Sequence, residues 1–341
     1  MSSLFRQTSF VRRVPRGPAI AIAMWLVMLI LPSLTTGSVE AQNYRDIFQN
    51  FATVAPLAIA MGITMIMAEF DISVISTFAL GGVLAVKVGD SSGIFVGTLA
   101  AVAAGAVAGI VQGSIIARFN ISSVPVTLAG FLLIWGLTEV VAGGQQVASE
   151  NFAPGEKLLS VVAEYFTLGS ILVIAGVVIA HLLLCYTKLG RDLRAVGGDR
   201  RASKISGIRV PWVIVGTFAA SGLIAGLGGA LQGFSFSNAN PLVSFNPLVS
   251  AVIAAIIGGV GISGATGSPL GIGCGVLALG TLSETLVITE VSSDLATVIT
   301  GGFLLAIAII SAPDLRVLPT RLLPGLARRS KRSALDPEPT S

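Results

Sequence analysis

Long apolar runs separated by short polar segments dominate the pattern of this sequence. A transmembrane helix needs about 20 mostly apolar residues, and ten runs approach or reach that length. They are residues 18–34, 48–68, 73–88, 93–116, 124–143, 167–186, 211–231, 247–262, 269–289 and 293–312. The pattern predicts an all-α polytopic membrane protein with about ten transmembrane helices. Glycine or proline interrupts several runs, which indicates broken or re-entrant segments.

The distribution of lysine and arginine orients this set of helices. Of the 21 basic residues, 18 lie before the first run, after the fourth, after the sixth or after the tenth. Only Arg45, Lys87 and Lys157 are predicted to lie on the other side of the membrane. Because cytoplasmic loops carry the excess of basic residues, we expect a multi-pass protein of the cell inner (plasma) membrane with both termini cytoplasmic. A count of nine helices would remove this asymmetry.

The predicted organisation has three parts. Residues 1–17 form a cytoplasmic N-terminal segment, and residues 18–312 form the transmembrane domain. Residues 313–341 are expected to be a disordered cytoplasmic tail, because the end of the chain is charged and rich in proline and serine. A cleaved signal peptide is the alternative for the first run, since basic residues precede it and residues 38–41 loosely resemble a cleavage site.

The composition agrees with a membrane protein and limits its chemistry. Charged residues make up 11% of the chain, against about 25% in soluble proteins, so polar groups cannot cover a globule. Cys185, Cys274 and the lone His181 suggest no metal site or catalytic triad. The sequence has no phosphate-binding P-loop and no nucleophile elbow. We therefore predict no enzymatic activity, no cofactor and no nucleic-acid partner.

Acidic residues near the membrane form the first candidate site. Glu69, Asp71 and Ser73 occupy the very short connection between the second and third runs. A turn this tight is tolerated in a membrane where it is buried in protein or lines a wet cavity. These residues are predicted to border a solute pathway. The alternative, which is compatible, is that Asp71 caps the next helix at the water interface. Glu139 and Glu284 also lie in apolar runs, without a specific predicted role.

Glycine-rich segments form the second candidate. Residues 258–269 contain five glycines and a proline, so they predict a partly embedded hairpin or unwound segment before the ninth run. A simple cytoplasmic turn is the alternative. The segment around Gly81 and Gly82 is faintly similar to that around Gly258 and Gly259. The predicted translocation pathway comprises Glu69, Asp71, Ser73, Gly81, Gly82, Gly258, Gly259 and Gly264.

The basic loop 187–210 is the most informative polar segment. Asp199 is a suitable N-cap for a short helix from about Arg200 to Ser206, and Gly207 fits the position just after that helix. A short helix across the cytoplasmic face suits the docking of a partner. The alternative is that this loop, like any internal loop, is simply basic and solvated.

Four stretches of this sequence resemble ribose-type permeases, the membrane subunits of bacterial ABC sugar importers, in the superfamily shared with branched-chain amino-acid permeases. The loop reads A-V-G-G-D at residues 195–199 and S-G-I at 206–208. The family loop is similar to A-x-G-G-N-x-x-A-A-x-x-S-G-I, so Asp199 replaces asparagine and Arg201-Ala202 replaces an alanine pair. This departure leaves the class unchanged.

Three further stretches extend the resemblance over about residues 45–312. Residues 71–82 look like the family's D-L-S-V-G segment, although Ile75 stands where glycine is usual. Residues 251–271 resemble its glycine-rich stretch, with Ala265 in place of one glycine, and residues 113–129 also match. The four stretches occur in the family's order, which makes the resemblance specific.

The resemblance implies a non-catalytic permease that works in a dimer, with two cytoplasmic ATPases and a periplasmic or extracellular solute-binding protein. The permeases of such a dimer form one pathway for a small polar solute, most often a monosaccharide. The docking of the ATPase would fall to Gly197, Gly198, Asp199, Arg200, Arg201, Ala202, Ser206 and Gly207. Asp71, Ser73 and the glycine segments would shape the pathway.

Other transport functions stay open at this point. In an ion-coupled secondary transporter, Glu69 or Asp71 would be the coupling carboxylate and no ATPase would bind. A channel would move solute without ATP. Within the ABC class, branched-chain amino acids and nucleosides are alternatives to a sugar, and the permease dimer is homo- or heterodimeric.

Overall fold

The computed structural model describes residues 41–311 together with Ile22, Leu26 and Ile30. The first predicted run, with its signal-peptide alternative, therefore lies almost wholly outside the described residues, as do the segments 1–17 and 313–341. The described helices, in chain order, are α1 (Ala41–Ile66), α2 (Val74–Ser92), α3 (Ile94–Phe119), α4 (Ser123–Ala142), α5 (Ala153–Leu159), α6 (Leu168–Tyr186), α7 (Lys188–Gly198), α8 (Arg200–Ile205), α9 (Val210–Phe236), α10 (Asn246–Ile257), α11 (Pro269–Ile288) and α12 (Ser293–Ser311).

Four very short strands accompany the helices. They are β1 (Val147–Ala148), β2 (Val161–Ala163), β3 (Phe166–Thr167) and β4 (Asn238–Ala239). β1 pairs with β4 and β2 pairs with β3, both antiparallel. The chain divides into two units, residues 1–292 and residues 293–341. The first unit contains α1 to α11, and the described part of the second unit is α12.

Seven of the described helices are long and apolar enough to cross a membrane: α1, α2, α3, α4, α6, α9 and α11. Each corresponds to a predicted run, so the polytopic helical class is confirmed while the count of about ten stays a prediction. The largest difference between a predicted and an observed boundary is at the start of α1. This helix begins seven residues before the predicted run, since the mostly polar segment 41–47 is also helical.

The eighth predicted run, 247–262, is helical only in part. α10 has 12 residues, about 18 Å of helix, and this is too short for a hydrocarbon core of about 30 Å. It ends at Ile257 because Gly259 follows with a φ of +87°, a left-handed conformation that suits glycine and ends a helix.

Glycines hold α2, α3 and α9 in backbone contact. A Cβ built on Gly105 of α3 would lie 2.1 Å from the carbonyl oxygen of Gly222 in α9, and a Cβ on Gly222 would lie 2.1 Å from that of Gly105. About two turns further along α9, a Cβ on Gly229 would lie 1.9 Å from the carbonyl oxygen of Phe78 in α2. Small residues allow such approaches in membranes, where close packing replaces the hydrophobic effect.

The connections between helices gather at two opposite ends of the first unit. At one end the turn 67–73, the helices α7 and α8 and the turn 258–268 contact each other. At the other end Lys87 Nζ donates to the Val141 carbonyl, and β1 pairs with β4. We call the first of these the α8 end and the second the cavity end. The alternation fits helices that cross the membrane in turn, as the sequence predicts.

Candidate coupling and translocation site

The predicted docking helix is present as α8. The Asp199 carboxylate accepts the backbone N–H groups of Arg201 and Ala202, at 2.8 and 2.9 Å, so Asp199 is the N-cap. Ser206 is the C-cap, and its hydroxyl donates to the Ala202 carbonyl at 3.0 Å. Gly207 follows with a φ of +82°. This left-handed conformation ends a helix, and glycine adopts it without the steric strain of other residues. The helix, its cap and its end are confirmed.

A second helix in the same segment was missed by the sequence analysis. α7 fills residues predicted to be loop, and it buries Gly190, Leu193, Val196 and Gly197 along one side. The three- and four-residue spacing of these positions was the available signal, since it places them on one face of a helix. Segment 187–210 is therefore a helix pair with a buried face toward the bundle.

Gly197 brings α7 into backbone contact with the end of α1. A Cβ on Gly197 would lie 2.1 Å from the Ile66 carbonyl oxygen and 3.1 Å from the backbone nitrogen of Ala265. The Ala265 N–H also donates to the Ile66 carbonyl at 2.8 Å. Gly264, with a φ of +82°, packs against the Gly197 carbonyl. Residues predicted for coupling and for the pathway therefore touch each other at this point.

An ion pair joins the docking helix to the first acidic candidate. The Arg200 guanidinium pairs with the Glu69 carboxylate, which is only 6% exposed, while Arg200 is half-buried. Burial lowers the pKa of Arg200, although an arginine guanidinium stays charged in proteins. The Glu69 carboxylate, in the turn between α1 and α2, thus has a cationic partner on α8.

Asp71 lies in a buried hydrogen-bond network. Its Oδ1 accepts the Ser73 hydroxyl at 2.6 Å and the Ser73 backbone N–H at 3.1 Å, and its Oδ2 accepts the Ser221 hydroxyl of α9 at 3.2 Å. Gln112 Nε2 of α3 donates to the Ser73 hydroxyl at 2.9 Å. The network ties the start of α2 to α3 and α9. Asp71 and Ser73 are buried in protein here, rather than lying at a water interface.

The remaining predicted pathway glycines have two kinds of surroundings. Gly81 packs against the backbone of Gly226 in α9, and Gly258 packs against the backbone of Gly271 in α11. Gly259 forms the turn after α10, with its positive φ. Gly82 borders a cavity near the cavity end. A direct role of these residues in solute passage stays a prediction.

Two adjoining cavities near the cavity end were not anticipated from the sequence. They measure about 240 and 380 Å³ and share Thr53, Gln232 and Phe236 as lining residues. The larger also contacts Asp46, Asn50, Ser283 and Glu284. The signal in the sequence was the spacing of Asp46, Asn50 and Thr53 along one side of α1. No group of three or more His, Cys, Asp or Glu residues that could hold a metal ion occurs in the part of the chain that the structure describes.

Comparisons with known proteins agree with this architecture. Residues 43–308 match the family described as "Branched-chain amino acid transport system / permease component". The chain is 29% identical over 281 residues to the ribose import permease protein RbsC of Escherichia coli (strain K12), covering 80% of this chain and 86% of that protein. It is 31% identical over 259 residues to the L-arabinose transport system permease protein AraH of the same strain, covering 74% and 77%.

A third relative is the L-arabinose ABC transporter permease protein AraH of Azospirillum brasilense. It is 27% identical over 290 residues, covering 83% of this chain and 84% of that protein. No solved structure gives a significant match.

Proposed function

The chain belongs to the ribose-type ABC transporter permease family, and on this premise we propose that it is the membrane-spanning subunit of a binding-protein-dependent importer of a monosaccharide across the inner membrane. The match over residues 43–308 carries this proposal. The relatives named above are permeases for ribose and arabinose, which favours a sugar over the branched-chain amino acids of the family description. The chain itself is not catalytic, so a separate ATPase supplies the energy.

The ATPase docks on α7 and α8. Ile205 of α8 is 82% exposed and Leu189 of α7 is 75% exposed, and Arg201 and Lys204 are exposed around them. These two large apolar side chains lie on polar helices outside the long spans. Their exposure to water is unfavourable, so they favour contact with a partner protein. The basic residues surround it and favour a cytoplasmic location for this end. We propose that both termini are cytoplasmic, because the distribution of basic residues predicts it.

Motion passes from the docking helices to the bundle by three contacts. These are the ion pair between Arg200 and Glu69, the backbone contact of Gly197 with Ile66, and the contact of Gly264 with Gly197. ATP-driven movement of α8 thereby displaces the turns at the inner ends of α1, α2 and α11. A second permease copy completes the pathway, and a solute-binding protein delivers the sugar at the cavity end.

The test of this function separates an ATP-driven importer from a gradient-driven transporter. Right-side-out membrane vesicles with the complete transporter are loaded with ATP and given D-ribose or L-arabinose together with the binding protein. Uptake is expected to require the trapped ATP and to continue when an ionophore dissipates the ion gradients. Uptake that continues without ATP and stops with the ionophore would show a secondary transporter instead.

Replacing Ile205 by serine is expected to weaken ATPase binding. The side chain is 82% exposed, so folding is unaffected, while burial of such a residue at an interface contributes about 1.5–3 kcal/mol, or roughly tenfold in affinity or more. The amount of ATPase that co-purifies in mild detergent measures the effect. Phe152→Ser, at an exposed position of the cavity end (60% exposed), is the matched control. Equal recovery of the ATPase with both variants would contradict the docking assignment.

The N-cap of α8 gives a further prediction. Asp199→Ala removes the acceptor for the Arg201 and Ala202 N–H groups, which costs about 1 kcal/mol of helix stability, and sugar uptake is expected to fall several-fold. Asp199→Asn keeps a good cap and should retain uptake near that of the unaltered protein. If the asparagine variant lost as much uptake as the alanine variant, the charge rather than the cap would be responsible.

A further inference from the structure

A polar face runs along α1, α9 and α11 near the cavity end. Asp46, Asn50 and Thr53 follow each other at intervals of four and three residues, so they lie on one side of α1. Asp46 and Asn50 are exposed, and so is Ser283 of α11. Asn50 and Thr53 lie within the apolar run 48–68, and Ser283 lies within the run 269–289. This face therefore places polar side chains in segments that are otherwise apolar.

The outer faces of the other long helices are different. In α4 the exposed residues Leu132, Leu133, Leu137 and Val140 form an apolar surface, as contact with lipid tails requires. Polar side chains within a membrane face the protein interior or a water-filled cavity, because lipid cannot bind them. Because Asp46, Asn50 and Ser283 are exposed and not packed inside the chain, we expect the polar face of α1 and α11 to border water.

The two cavities described above supply that water-accessible space. They adjoin at Thr53, Gln232 and Phe236, which line both, so they form one vestibule at the end of the unit opposite to α7 and α8. Its polar groups are amides, hydroxyls and carboxyls. Phe236 adds an aromatic ring to the lining, and the faces of such a ring are partly negative and attract C–H groups.

The charges of the vestibule select for a type of solute. Glu284 accepts a hydrogen bond from Asn43 at 3.2 Å, and Asp46 accepts one from Gln42 at 3.0 Å. Among the described residues that line the two cavities there is no lysine, arginine or histidine. A carboxylate of an amino acid would therefore meet acidic groups and no cation, whereas the hydroxyls of a sugar can donate to carboxylates and bond to amides.

We propose that this vestibule is a binding site for a neutral monosaccharide, in which Asn50 and Gln232 bond to hydroxyl groups and Phe236 packs against the C–H face of the ring. The inference rests on the proposed import function and specifies its solute as a neutral polyhydroxyl compound. The vestibule thus contributes to specificity in addition to the binding protein.

Uptake by altered transporters tests the assignment. Asn50→Leu and Gln232→Leu, each in the complete transporter, are expected to lower the ATP-dependent uptake of D-ribose or L-arabinose about tenfold, since each leaves a sugar hydroxyl without its hydrogen-bond partner. The same amount of ATPase should still co-purify. Gln145→Leu is the matched control, because Gln145 is exposed and lines neither cavity. L-Leucine should not be taken up by the unaltered transporter.

Labelling of introduced cysteines tests the vestibule without transport. Cys185 and Cys274 are first replaced by alanine, and Ser283→Cys and Leu133→Cys are compared in intact cells with a membrane-impermeant maleimide. Position 283 is expected to react rapidly and to be protected by the sugar with the binding protein, and position 133, on the apolar face of α4, to stay unlabelled. No labelling at position 283, or equal labelling at both, would overturn the vestibule.

The two failures are distinguishable. If the unaltered transporter takes up neither sugar in an ATP-dependent way, the proposed function fails. If it takes them up and both leucine variants match the Gln145→Leu control, the import function stands and the binding site is refuted. Efficient uptake of L-leucine would refute the selection for a neutral solute.

Discussion

Replacing Gly222 by alanine is expected to drive α3 and α9 apart and to lower the melting temperature of the solubilised protein by several degrees. The new Cβ would lie 2.1 Å from the Gly105 carbonyl oxygen, a distance that only a shift of the backbone can relieve. Overpacking of this kind costs about 1–3 kcal/mol and sometimes more. Thermal unfolding, followed by the reactivity of the half-buried thiols of Cys185 and Cys274 or by circular dichroism, measures the effect.

Gly216→Ala provides the control within the same helix. Gly216 also belongs to α9, but a Cβ there meets no atom within 4 Å. Alanine favours a helix over glycine by about 0.5–1 kcal/mol, so this variant should be as stable as the unaltered protein or more stable. Destabilisation of both variants to the same degree would show that the contact between Gly105 and Gly222 is unimportant.

Breaking the ion pair between Glu69 and Arg200 is expected to uncouple ATP hydrolysis from sugar uptake. In Glu69→Gln, Arg200 loses its partner in a half-buried site, and an unpaired charge in a fully buried site costs about 3–5 kcal/mol. The sugar transported per ATP hydrolysed should fall about tenfold, while ATPase binding persists through Ile205. The ratio is measured in vesicles from simultaneous uptake and phosphate release.

A charge exchange makes this prediction specific. Glu69→Lys combined with Arg200→Glu restores opposite charges at the two positions and should recover more transport than either single variant. Glu150→Gln, at an exposed position of the cavity end, removes a carboxylate without touching the pair and should leave the ratio unchanged. An additive double variant, with no recovery, would assign Glu69 another role, such as contact with the solute.

The sequence predicted the elements that depend on local signals. The spans follow from apolar runs, and α8 follows from its cap and its terminal glycine, since both signals lie within a few residues of the element. α7 was missed although its buried positions recur at helical spacing, because its four charged residues and three glycines are also typical of a solvated loop. α10 was predicted too long, since apolarity continues past Ile257 although the backbone turns at Gly259.

The sequence identified individual residues of the candidate site, but not which of them contact each other. Glu69 and Arg200 are separated by more than a hundred residues, and nothing in either local pattern indicates that they pair. The vestibule likewise combines positions from α1, α9 and α11. Such juxtapositions depend on which helices pack together, and here glycine contacts between α2, α3 and α9 decide much of that packing.

The absence of a side chain at Gly197 has a mechanical consequence. A contact made by long side chains can yield to a displacement because the side chains change rotamer. At Gly197 the backbone of α7 instead contacts the carbonyl of Ile66, the last residue of α1, directly. If an ATPase docks on α7 and α8 as proposed, its movement is expected to reach α1 through this rigid backbone contact. A glycine at position 197 therefore keeps the contact between α7 and α1 stiff.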